Sequence, residues 1–151
     1  MFDDLNDLYQ QVIIDHSRSP RNFAVLAGAN RKAAGQNPIC GDNYTIYVAM
    51  DGEVVRELSF QGSGCAISKA SASLLTESLK GKTKGEVKAL FQKVHHLVTT
   101  GDSAGDMGKL AVFAGVHKFP ARVKCAILPW YAVVAAVEGK SEPVTTETEK
   151  D

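Results

Sequence analysis

Three short stretches of this chain carry side chains able to do chemistry: Asn37-Pro38-Ile39-Cys40-Gly41-Asp42, Gly62-Ser63-Gly64-Cys65-Ala66 and Arg122-Val123-Lys124-Cys125-Ala126. Each contains one of the chain's 3 cysteines. Three thiolates and a carboxylate complete a tetrahedral metal site, and Zn²⁺ accepts both sulfur and carboxylate oxygen among its four ligands. Cys40, Asp42, Cys65 and Cys125 are therefore the expected ligands. An odd cysteine count leaves one thiol unpaired under any disulfide scheme, which favours metal or thiol chemistry over bridging.

Composition narrows the alternatives. At 151 residues and 44% hydrophobic content the chain can build one core without staples. Lys+Arg and Asp+Glu balance at 17 each, so no net field draws it to nucleic acid or an anionic membrane. No apolar run approaches the roughly 18 residues of a membrane span, and Met1-Phe2-Asp3-Asp4-Leu5 lacks the basic and apolar regions of a signal peptide. The expectation is a cytoplasmic protein with no nucleic-acid or membrane partner.

The elements that must bring the three stretches together can be read from periodicity and punctuation. Leu5, Leu8, Tyr9, Val12, Ile13 and His16 recur at helical spacing from Asp3 to His16, and Pro20 stops that helix. Small and polar residues follow, with a short strand near Ala29 to Ala33. Tyr44 to Met50 and Val54 to Gln61 are rich in β-branched and aromatic residues, and Asp51-Gly52 between them predicts an antiparallel hairpin. Ile67, Ala70, Leu74, Leu75 and Leu79 then form a helical face that Gly81 ends, so Cys65 falls at a helix N-terminus and gains thiolate character there.

Thr83 to Glu86 has the form of a capping box before a third helix with Val87, Leu90, Phe91, Val94, Leu97 and Val98 on its face. A glycine- and aspartate-rich loop from Thr99 to Gly108 leads to a short helix over Leu110 to Val116. Cys125 is expected just ahead of a buried last helix, Ala126 to Val137, in which Pro129 fits only within the first turn. The domain should span residues 1–139, followed by a floppy tail over 140–151 too polar to bury.

Blander readings apply to several of these residues. A lone cysteine is usually a small core hydrophobe, Gly41-Asp42 can simply make a turn, and Arg122 and Lys124 can be solvated charges. His16 packs or caps at the first helix end, His95-His96 line a helix surface, and Trp130 belongs to the core. His117, eight residues before Cys125, is the one rival ligand.

The motifs also carry a resemblance. Leu8-Tyr9-Gln10-Gln11-Val12-Ile13 with Asp15-His16 and Pro20-Arg21-Asn22, Asn37-Pro38 with Cys40-Gly41-Asp42, Gly64-Cys65-Ala66-Ile67-Ser68 with Ala70-Ser71, and Phe119-Pro120-Ala121-Arg122-Val123-Lys124-Cys125-Ala126 with Trp130 together resemble the SufU branch of the IscU/NifU-like iron-sulfur assembly proteins. The resemblance runs from about Leu8 to Val137. Lys124 stands where IscU-type scaffolds carry histidine, and the long interval between Cys65 and Cys125 is similar to the insertion of the SufU branch. Pro129 departs from the pattern and blurs where the last helix begins.

This resemblance implies an α+β fold of the SufE/NifU-like kind, a small antiparallel sheet of about three strands packed against several helices. It implies a zinc-dependent sulfurtransferase that accepts persulfide sulfur at Cys40 from a SufS-type cysteine desulfurase and passes it to downstream iron-sulfur assembly proteins. Because a metal-bound thiolate is a quenched nucleophile, Cys40 has to be freed, and the resemblance implies that a partner histidine takes its place on the zinc. Asp42 suits so labile a site as a harder ligand, and Gly41 and Gly64 let backbone come close to the metal. Arg122 and Lys124 can offset the surplus negative charge, with Arg122 also a candidate for docking. The rival functions are a scaffold that assembles a [2Fe-2S] cluster on the same cysteines and a structural zinc adaptor. Lys124 argues against the first, and a carboxylate ligand against the second.

Overall fold

The β1–β2 hairpin, Arg31–Asn37 and Asp42–Asp51, is the frame on which the first cysteine motif hangs. β2 alternates burial, with Asp42, Tyr44, Ile46 and Val48 on the covered face, and β3, Val54–Ser63, pairs antiparallel to it across the expected turn at Gly52. A computed structural model describes residues 4–103, 105–140 and 143–146.

Four helices and a 3-10 segment surround this sheet: α1 (Asp4–Arg18), α2 (Ala66–Leu79), α3 (Lys84–Thr100), the 3-10 segment Gly108–Lys118, and α4 (Pro120–Val137). α4 lies over β1 and β2 and packs on α2 and α3. The core between the layers holds Trp130, Tyr44, Phe60, Phe113, Leu74 and Leu128, all nearly inaccessible. On α1, Val12 and Ile13 pack on this core and His16 is buried as expected, while the side chains of Leu5, Leu8 and Tyr9 lie outside the description. The capping box at Thr83 and Glu86 forms in full.

Three expectations need correction. The strand expected near Ala29 to Ala33 runs instead from Arg31 to Asn37, because Gly35 and the small residues around it let α4 close onto β1. A methyl group on Gly35 would meet Leu128 Cδ1 at 3.1 Å, Val144 Cγ2 at 3.3 Å and Ala132 Cβ at 3.4 Å. The same gap admits a fourth strand, β4 (Val144–Thr145), which pairs parallel to Gly35 and Gln36 and gives the order β3-β2-β1-β4. Residues 143–146 thus do not trail from the fold as part of a floppy tail. The rest of that tail, 141–142 and 147–151, lies outside the described residues.

The third correction concerns the last helix. It begins at Pro120, not after Cys125, and Pro129 sits in its interior. Pro120 at the first helical position was the readable signal, since its fixed φ suits helix initiation and its missing N–H is no loss there. Pro129 cannot donate to the carbonyl of Cys125 four residues back, a cost tolerated because α4 is held by tertiary packing. By length and composition α4 could cross a membrane, with a mean hydropathy of 1.3, but 61% of it is buried within this fold. It is apolar because sheet and helices cover it.

Candidate metal centre

Asn37 and Asp42 face each other at the end of the β1–β2 ladder, so Pro38 to Gly41 form the hairpin loop. Gly41 adopts φ 77°, the left-handed region where glycine is free of a Cβ clash, and its N–H donates to Asn37 O at 2.8 Å. A methyl group there would meet nothing within 4 Å, so its role is conformational and not close approach. Cys40 stands exposed at the loop tip, whereas Asp42, one residue past Gly41, is 2% exposed.

The second motif supplies a helix cap. Cys65 is the N-cap of α2, with its sulfur accepting from Ser68 N at 3.4 Å and its own N–H donating to Asp42 Oδ1 at 3.0 Å. Gly64 is the glycine that permits close approach: a methyl group on it would collide with Asp42 Oδ1 and reach Ser68 Oγ at 2.6 Å and Tyr44 Oη at 2.8 Å. The third motif comes in on α4, whose second turn carries the fully buried Cys125. α2 and α4 are pinned together beside the site by Ser71, whose hydroxyl donates to Ala126 O at 2.6 Å and accepts from Trp130 Nε1 at 3.2 Å.

The ligand atoms of Cys40, Asp42 and Cys125 all lie within 4.8 Å of one another. Cys65 is not a member of that tight trio, but its sulfur hydrogen-bonds the Cys125 thiol. That bond pulls the Cys65 thiol down to about 6, ahead of the helix-terminal donors from Ser68, while burial works against it. The N-terminal effect expected from sequence is therefore real but secondary. Cys125 is pushed up by the same contact and by burial.

The residues present fit a metal on their own chemistry. Asp42 is a buried carboxylate with no Lys or Arg ion pair among the described residues. Its neighbours are neutral donors: Cys65 N–H, Ser68 O–H at 3.1 Å to Oδ1, and Asn37 Nδ2 at 3.1 Å to Oδ2. Of the roughly four lone-pair sites of a carboxylate, these donors leave about one for a further partner. A buried carboxylate without an ion pair calls for a counter-charge, and a thiophilic divalent cation held by it and the neighbouring sulfurs would supply one.

Three groups around the centre, Asn37, Ser68 and Tyr44, are not among the site residues expected from the sequence. Asn37 Nδ2 also reaches Cys125 Sγ at 3.7 Å. The Ser68 hydroxyl has Asp42 Oδ1 and Cys65 O as acceptors, both at 3.1 Å, so the buried Tyr44 hydroxyl, 3.0 Å away, is placed to donate to Ser68 Oγ, and burial pushes the Tyr44 phenol up to about 12. The N-cap-plus-three spacing of Ser68 from Cys65 could have marked it. The other candidates lie apart. Arg122 is exposed on the first turn of α4, without a hydrogen bond or ion pair to the centre among the described residues. Lys124 is half-buried and lines a groove of about 600 Å³ with Phe91, His95 and Tyr131. His117 donates from Nδ1 to Ala114 O at 2.8 Å and packs on Gly101, so it is no ligand here.

A hairpin tip and a helix interior that bring two sulfurs and a carboxylate oxygen together, with a helix N-cap cysteine beside them, define an α+β domain with a cluster able to hold a metal ion. Residues 8–126 match the family model of the NifU-like N-terminal domain, and the chain belongs to that family. It is similar to the zinc-dependent sulfurtransferase SufU of Bacillus subtilis, 41% identical over 89% of this chain and 95% of that protein. It is also similar to the iron-sulfur cluster assembly scaffold protein IscU of Streptococcus pyogenes, 36% identical over 89% and 85%. A crystal structure of a candidate iron-sulfur cluster assembly scaffold protein for the SUF system from Fervidobacterium islandicum superposes with TM-score 0.81 at 31% identity, covering 87% of this chain and 98% of that one.

Proposed function

We propose that this chain is a zinc-dependent sulfurtransferase that accepts persulfide sulfur at Cys40 from a cysteine desulfurase and passes it toward iron-sulfur cluster assembly in the reducing cytoplasm. One observation carries the reading: Cys40 belongs to the cluster formed with Asp42 and Cys125, yet it is the exposed cysteine of the three. Cys40, Asp42, Cys65 and Cys125 would hold the metal. Bound Zn²⁺ supplies a redox-silent centre that keeps thiols deprotonated and ties the hairpin loop to α2 and α4.

The chain's own residues divide the work. Cys40 thiolate attacks the terminal sulfur of a donor Cys–S–SH. A new S–S bond forms at Cys40, the donor's S–S bond breaks, and the donor cysteine leaves as thiolate, so electrons and protons balance with no external oxidant. Cys65 and Cys125 are less exposed and stay behind to retain the site. Ile39 and Phe119, 66% and 59% exposed, flank the motifs of Cys40 and Cys125 and offer apolar surface to a protein donor.

Iron also accepts thiolates, and the IscU relative of known scaffold name keeps the second reading, cluster assembly on the same cysteines, in play. The experiment is desulfurase turnover with wild type and Cys40→Ala, alongside metal analysis. Near-stoichiometric zinc and stimulation lost in Cys40→Ala are expected; stimulation that survives the substitution sinks the sulfurtransferase reading. Anaerobic reconstitution that yields a cluster transferable to an apo-protein would establish the scaffold instead.

A further inference from the structure

We propose that Asn37, clamped by Thr146 of the C-terminal segment, is a positioning residue that sets how readily the metal centre opens. The proposal rests on the reading that a metal occupies the Cys40–Asp42–Cys65–Cys125 cluster. Asn37 is fully buried, and its side chain touches two of those groups at once. Nδ2 lies 3.1 Å from Asp42 Oδ2 and 3.7 Å from Cys125 Sγ, so the two amide hydrogens can serve a carboxylate and a sulfur, one each.

The opposite end of the amide is held from outside the three cysteine motifs. Thr146 Oγ1 donates to Asn37 Oδ1 at 3.1 Å, and Thr146 N donates to Gln36 O at 3.1 Å. Rotating the Asn37 amide by half a turn would aim its carbonyl oxygen at a carboxylate and a sulfur, all of them acceptors. The Thr146 hydroxyl opposes that rotation by giving the oxygen a donor where it now lies. β4 can reach this position only because Gly35 lets Val144 and α4 sit close on β1. The contact thus joins residues 109 apart and ties the end of the described chain to the metal centre.

The consequence concerns lability. Hydrogen bonds to ligand atoms orient them, and losing such partners weakens metal sites by ~10-fold or more. Removing Asn37's donors should release Asp42 and Cys125 to move. Removing the Thr146 hydroxyl should do the same to a smaller degree, because Asn37 remains but is no longer held in one orientation.

The test is the rate at which zinc-loaded full-length chain gives its metal to a chromophoric chelator, for wild type, Thr146→Val, Thr146→Ser and Asn37→Ala. Release about threefold faster in Thr146→Val and about tenfold faster in Asn37→Ala is expected, with Thr146→Ser returned to the wild-type rate. The Co²⁺-substituted Thr146→Val protein should also show shifted ligand-field bands, which general loss of packing would not produce. Asn37→Ala can fail to fold, so Thr146→Val decides. Wild-type release in Thr146→Val overturns the proposal, and so does faster release that Thr146→Ser does not restore. A wild-type chain that binds neither Zn²⁺ nor Co²⁺ overturns the metal reading as well, which separates the two failures.

Discussion

Asp42 is the residue at which burial, charge and hydrogen bonding meet. Its carboxylate is 2% exposed and takes donors from Asn37, Cys65 and Ser68. Asp42→Ala should therefore do two separable things: cut zinc affinity by more than the ~10-fold typical of a lost supporting residue, and lower the metal-free melting temperature by stranding buried donors, at about 1–3 kcal/mol each. Chelator titration and thermal melts of the metal-free form read these independently; unchanged affinity would remove Asp42 from the ligand set. His16 makes a second prediction. It is buried against Ser73, with Nδ1 2.7 Å from Ser73 Oγ, and burial lowers its pKa, helped by Arg21 and Lys109 and opposed by Glu77 and Asp15. The unfolded chain then binds the proton more readily than the folded one. The neutral imidazole's contribution is complete above the unfolded value of about 6.5 and is lost as pH falls below it toward the lowered folded value. Urea melts should show stability declining from pH 7 to 5, with a shallower decline in His16→Gln; parallel curves would refute the assignment.

At the scale of elements, the centre depends on how α2 and α4 are locked, because each brings one sulfur. Ser71 is the lock: it is fully buried, donates to Ala126 O and accepts from Trp130 Nε1. Ser71→Ala removes both bonds and leaves the indole N–H without that partner in the core, a loss of about 1–3 kcal/mol. Because Ala126 adjoins Cys125, zinc affinity should fall together with stability. A variant that loses stability in denaturant but keeps wild-type affinity would show that Ser71 supports the core and not the site. Arg122, by contrast, is exposed, and Lys124 lines the groove with Phe91, His95 and Tyr131. Their value, if charge matters, lies in meeting a partner.

For the molecule as a whole, the proposed metal site couples binding to folding, since its candidate ligands on the hairpin, at the N-cap of α2 and on α4 meet only in the native state. A ligand present at ~1,000 times its dissociation constant stabilises the native state by about 4 kcal/mol. Stripping zinc should lower the melting temperature by several degrees, and restoring it should return the transition. A melting temperature indifferent to chelator and to added Zn²⁺ would mean that the cluster does not bind metal in the folded chain.

The amino-acid sequence by itself determined the chemistry on offer. Three cysteines in short motifs, the first two marked by glycine and the third by basic residues, an aspartate two residues past the first, periodic helices and the Gly52 hairpin are local facts, and local geometry follows from them. Sequence reading misplaces the start of the last helix after Cys125 because Pro129 suggests a first turn, whereas α4 begins at Pro120 and tertiary packing absorbs the cost of Pro129 in its interior. Only the tertiary structure decided that Asn37 bridges Asp42 and Cys125, that Thr146 returns to clamp it, and that His117 points elsewhere. Those relations join positions 88 and 109 residues apart, and no periodicity or spacing encodes them. They arise because a sheet and helices, once packed, bring distant side chains within bonding distance.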